Sequence, residues 1–84
     1  MPYFTRIMKA DEGNLTFYFN RIYTVEGVRY HVSVLDKFRK AVIFQMEEKD
    51  KDNWSLINAA DIPNWIQKIE KELKETVLDH VHEA

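Results

Sequence analysis

Eighty-four residues with a formal net charge of −2 make one small domain, and 45% hydrophobic and 13% aromatic residues against two Gly and two Pro exclude a disordered tail, a collagen-like repeat and a flexible linker. The lack of cysteine excludes a disulfide scaffold, a thiol nucleophile and any cysteine zinc site. No motif identifies a reaction, so the sequence speaks mainly of architecture and of the surface it presents.

Residues 3–9 can form a first strand that turns through Ala10-Asp11-Glu12-Gly13-Asn14. Over 15–25, Leu15, Phe17, Phe19, Tyr23 and Val25 alternate with Thr16, Tyr18, Asn20, Ile22 and Thr24, the period of a half-buried strand, with Arg21 the one misfit. Glu26-Gly27 reads as a two-residue primed turn, because Gly supplies φ > 0 at no steric cost. That register sets Val25 opposite Val28, Tyr23 opposite Tyr30, Arg21 opposite Val32 and Phe19 opposite Val34, so the apolar sets of strands 15–25 and 28–35 share a face. Asp36-Lys37-Phe38-Arg39-Lys40 is a polar connection whose Phe38 is expected to cap the core, with an exposed anchor for a partner as the less favoured reading. Residues 41–47 are apolar on both sides for most of their length, which predicts a strand interior to the sheet. A charged turn, residues 48–53, leads to a short strand over 54–57.

The ending predicts one long helix over 62–82. Asp61 suits the N-cap and Pro63 the first turn. Ile62, Trp65, Ile66, Ile69, Leu73, Val77 and Val81 form a single apolar stripe. Lys68 with Glu72, Glu70 with Lys74, and Lys71 with Glu75 sit four apart on its wet side. The expected fold is α+β: an antiparallel four- or five-stranded meander followed by this C-terminal amphipathic helix packed on one sheet face. Arg21 then falls on the covered side, where an ion pair with a helix carboxylate such as Glu70 would offset its burial.

Little in the chain suggests catalysis. His80 and His82 are two apart and diverge on a helix, so they cannot share a metal; their better role is placement near the negative end of the helix dipole. The acidic run from Glu47 to Asp52 fails the spacing of a calcium loop, with Trp54 at the fifth position and no Gly at the sixth. Ser33 and Ser55 lie outside any nucleophile elbow, and no Gly-rich loop is available for phosphate. A noncatalytic protein without cofactor or metal is the expectation. The start of the chain lacks the continuous apolar region of a signal peptide, and the longest apolar run, Ala41 to Phe44, is far below the ~20 residues that cross a bilayer, so a soluble cytoplasmic protein with no membrane partner is expected.

Charge and pattern together single out one surface. Residues 1–46 hold seven cations against four anions, and residues 47–84 five lysines against ten carboxylates. The basic segment contains the sheet face opposite the helix, where Tyr18, Ile22, Arg29, His31, Leu35, Ile43 and Gln45 fall. Aromatics and Arg on an antiparallel sheet suit single-stranded nucleic acid. The order of four antiparallel strands and then a helix resembles the Whirly and Pur-alpha family of single-stranded nucleic-acid binders, which implies such binding and frequent dimerisation. The same Ile22, Leu35 and Ile43 equally predict burial against a protein partner or in a homodimer, and the net negative charge favours that reading.

Overall fold

In the computed structural model, which describes residues 3–10 and 13–83, five antiparallel strands form one meander sheet in the order of the chain. They are β1 (Tyr3–Ala10), β2 (Gly13–Thr24), β3 (Gly27–Leu35), β4 (Ala41–Asp50) and β5 (Asn53–Leu56). A single turn of 3-10 helix, Ala59–Asp61, leads into α1 (Asn64–Gln67) and α2 (Glu70–Glu83). The expected α+β meander with a C-terminal helix on one face is the observed architecture, with the sheet curled against α2. Of the predicted turn between the first two strands, Asp11 and Glu12 lie outside the described residues.

The hairpin between β2 and β3 differs from expectation. Thr24 pairs with Gly27, Arg21 with Tyr30 and Phe19 with Val32, so the turn residues are Val25-Glu26 and the register is displaced by two from the predicted pairs. Neither Val25 nor Glu26 has positive φ; the positive φ falls on Gly27, at 125°. Thr24 stabilises this unprimed turn, its Oγ1 donating to the Gly27 carbonyl at 2.8 Å and accepting from Glu26 N–H at 3.2 Å. A hydroxyl able to close the turn on itself thus overrides the Gly-second signal. Because the displacement is even, every side chain keeps its predicted face.

The helical ending also departs from a single rod over 62–82. Pro63, rather than Asp61, occupies the N-cap of α1, and Asp61 closes the preceding 3-10 turn. Between the helices, Ile69 N–H bonds the Ile66 carbonyl three residues back before Leu73 N–H resumes the four-residue step to Ile69. No Gly or Pro stands at this break to announce it. Gln67 secures the connection, its Nε2 donating to the carbonyls of Ala59 and Ile62 at 2.8 Å each. None of the three predicted Lys–Glu pairs closes to ion-pair distance.

The core fills the space between sheet and helix. Ile62, Ile66, Leu73 and Val77 of the predicted stripe are buried, with Trp65, Ile69 and Val81 packed at its margin. They meet Phe17, Phe19, Tyr30, Val32, Val34, Phe44, Met46, Trp54 and Leu56 of the sheet. An aromatic cluster docks the end of α2: Phe4 stacks on Phe19 at 4.6 Å and on His80 at 4.0 Å, and Tyr30 meets Trp54 edge-on at 5.2 Å. His80 is thereby a packing residue.

Arg21 does not pair with Glu70. Glu70 instead lies 3.5 Å from Leu56 N–H, and no carboxylate of the described residues bridges to Arg21. The cross-strand register explains this, because it puts Tyr30 beside Arg21 and the guanidinium 5.9 Å from the ring centroid. Burial pulls the Arg21 pKa down, but the phenols of Tyr30 and Tyr23 carry it above its ordinary value, so the cation persists.

Tyr30 is fully buried with its hydroxyl 3.0 Å from His80 Nδ1. Burial pushes its phenol pKa up, and the nearby Arg21 only partly opposes the rise. A raised folded-state pKa means that this contribution to stability is full below the ordinary phenol value of 10.0 and is lost as pH climbs through the folded value. Tyr30→Phe should cost about 1 kcal/mol at neutral pH through the lost hydrogen bond and should flatten the decline in stability above about pH 10. Denaturant unfolding of both proteins across that range checks it; an unchanged alkaline slope contradicts the assignment.

Candidate functional site

The face of the sheet away from the helix is laid out by strand register. Thr5, Tyr18, Ser33 and Ile43 form one cross-strand row, and Tyr3, Asn20, His31 and Gln45 form the next. Ile22, Arg29, Glu47 and Ser55 make a third row toward the β2–β3 turn. Ile7 with Thr16, and Leu35 with Ala41, lie toward the opposite end. All seven residues singled out from the sequence therefore share this face. Tyr18, Leu35 and Ile43 are exposed to 42, 53 and 60%, while Ile22, Arg29, His31 and Gln45 are half-buried among their neighbours.

Two further residues extend the patch. Tyr3 stacks on Tyr18 with centroids 6.4 Å apart, and Ile7 is 67% exposed on the same face. Both were legible, because the period of two along β1 puts Tyr3, Thr5, Ile7 and Lys9 on one side. The signal needed was the β1–β2 register, which sets Thr5 against Tyr18.

Polarity changes along the strands. Tyr18, Ser33, Leu35, Ala41 and Ile43 line a shallow apolar depression of about 340 Å³. A second depression, of about 400 Å³, is bordered by Arg29, Gln45, Ile57, Asn58 and Asp61. Arg29 pairs with Glu26 at 3.4 Å and stands opposite Glu47. The aliphatic end thus gives way to a polar end with both signs of charge.

The β3–β4 loop borders the aliphatic end. Asp36 organises it: Oδ1 accepts from Phe38 N–H at 2.8 Å and Lys40 N–H at 2.9 Å, while the Asp36 backbone bonds Lys40 and Arg39. Arg39 takes φ 64° to complete the turn. Phe38 does not cap the core. It is 74% exposed at the apex with Lys37 Nζ 5.5 Å from its ring centroid, because the Asp36-centred turn holds the segment away from the sheet. Three cations and an aromatic side chain are therefore presented on a fixed support.

Among the described residues no group of three or more His, Cys, Asp or Glu side chains converges as a metal site would require. His82 reaches Asp52 at 3.3 Å, a contact across the surface between α2 and the β4–β5 turn. Among the described residues no helix is long and apolar enough to cross a membrane. No family model matches the chain, and no curated protein or solved structure matches it.

The Asp36 turn yields a direct test. Asp36→Ala leaves the Phe38 and Lys40 amides without their side-chain acceptor and should cost about 1–2 kcal/mol. Amide exchange at both positions should accelerate while exchange at Val32 and Phe44 follows only the global loss of stability. Equal acceleration everywhere would mean that Asp36 supports the whole fold rather than the loop.

Proposed function

We propose that the protein is a small noncatalytic assembly module that associates with a second copy of itself through the open face of its sheet. The reading rests on one observation: Tyr3, Ile7, Tyr18, Leu35 and Ile43 occupy a common face while the helix occupies the other. Contiguous apolar surface of this kind marks interaction sites, and its removal from water is worth ~25 cal/mol per Å². The row Thr5, Tyr18, Ser33 and Ile43 contains no charge, so its burial strands no ion. A two-fold pair uses the same patch twice.

A second reading, single-stranded nucleic acid on this face, draws on the stacked Tyr3–Tyr18 pair, with Lys9 and Arg29 toward opposite ends of the same face. The distribution of cations favours assembly. Arg6 and Arg21 lie on the helix side, Arg29 is engaged by Glu26, and Lys37, Arg39 and Lys40 belong to one loop.

Light scattering and sedimentation over a concentration series should give a dimer mass for the wild type. Ile43→Glu, at an exposed position, should give a monomer with unchanged circular dichroism and thermal midpoint. A wild type that is monomeric throughout overturns the proposal. Labelled single-stranded oligonucleotide at about 50 mM salt should show no anisotropy change; binding that weakens steeply with salt and with Arg29→Ala or Tyr18→Ala would instead establish the second reading.

A further inference from the structure

The charges along the strands bear on how two copies would meet. The loop end carries Lys37, Arg39 and Lys40, with Asp36 spent inside its own turn. The opposite end of the open face carries Glu26 and Glu47, with Asp61 bordering the adjacent depression. A two-fold axis parallel to the strands would set the two cationic loops together. An axis across the strands, through the row of Tyr18, Ser33 and Ile43, keeps that apolar row against itself and lays each cationic loop over the other copy's acidic end.

The distances agree with this arrangement. Rows two residues apart are separated by about 7 Å, so the row of Arg29 and Glu47 lies about 14 Å from the Tyr18–Ser33–Ile43 row, and the apex of the loop lies at a similar distance on the other side. Rotation about this axis also preserves position across the sheet, so the β3–β4 loop of one copy faces β3 and β4 of the other. A concave surface runs from the axis row toward that place: the depression of about 400 Å³ lined by Ile43, Gln45, Arg29 and Ile57.

We propose that two copies pack face to face with their strands antiparallel, each seating Phe38 in the other's depression beside Arg29, with Arg39 and Lys40 facing Glu26, Glu47 and Asp61. This rests on the self-association proposed above and assigns its geometry. It accounts for an aromatic ring held in water by a hydrogen-bonded turn, since a prearranged anchor loses little freedom on docking. The guanidinium of Arg29 and the ring of Phe38 are a favourable pair once both leave water.

The chain has no cysteine, which permits a clean test. Phe38→Cys and Gln45→Cys are made separately, mixed, and treated with a short bismaleimide, alongside sedimentation of the wild type over a range of salt. The expected results are a covalent dimer joining the two different variants, wild-type association that weakens with salt, and about tenfold weaker association of Phe38→Ser with an unchanged melting temperature. Efficient Phe38→Cys self-linking without the mixed product would overturn the antiparallel arrangement. So would a dimer that tightens with salt, or a dimer in which neither cross-link forms; each leaves self-association standing. A monomeric wild type removes both proposals. The charge variants Arg39→Glu/Lys40→Glu and Glu26→Lys/Glu47→Lys should each associate about tenfold more weakly alone and recover wild-type affinity when mixed, and wild-type affinity in either alone would contradict the assigned contacts.

Discussion

An antiparallel sheet has two faces, and the single amphipathic helix of this chain can cover one. That constraint organises the molecule. Period-two alternation sends Phe17, Phe19, Tyr30, Val32, Val34, Phe44 and Met46 to one side, where Ile62, Ile66, Leu73 and Val77 meet them. Such burial supplies the main favourable term for a small domain. The other side receives what remains of the pattern, and that remainder includes the exposed Tyr3, Ile7, Tyr18, Leu35 and Ile43.

The covered side is not purely apolar. Arg21 lies against Tyr30, Tyr30 reaches His80, and His80 stacks on Phe4. This chain of contacts ties β1, β2 and β3 to the last turns of α2, far along the sequence from the strands it clamps. A hydrogen bond and ring contacts serve here where an ion pair with Glu70 was expected. The penalty of burying two charges makes an aromatic face a reasonable alternative neighbour for a half-buried guanidinium.

Most of the fold was legible because period and burial coincide. The five strands, their order and the buried helix stripe follow from alternation and from 3–4 spacing. What escaped was decided by individual hydrogen bonds. Thr24 closed the β2–β3 turn one residue earlier than the Gly27 signal suggested, and Asp36 held Phe38 outward although its apolar ring suggested the core. The break at Ile69 and the change of N-cap to Pro63 likewise turn on local backbone geometry that no residue preference announces. The open face was readable as a set of positions, since parity survives a displacement of two, but its extension to Tyr3 and Ile7 required the pairing of β1 with β2. The association proposed for the face depends on complementarity with another molecule, which periodicity does not encode.

The charge asymmetry of the sequence also takes a definite form in space. Instead of a basic sheet face, the cations of the first 46 residues divide between the helix side, Lys9 and a paired Arg29 on the open face, and one hydrogen-bonded loop, so the open face is largely aliphatic toward the loop and mixed in sign at the other end. Solvent exposure of that face in solution tests the central claim most directly. With a soluble paramagnetic probe added to an NMR sample, assembly through the open face predicts that the methyl groups of Ile43 and Leu35 are protected while those of Val25, at the tip of the β2–β3 turn, are strongly broadened. Broadening of Ile43 and Leu35 as severe as that of Val25 would contradict it.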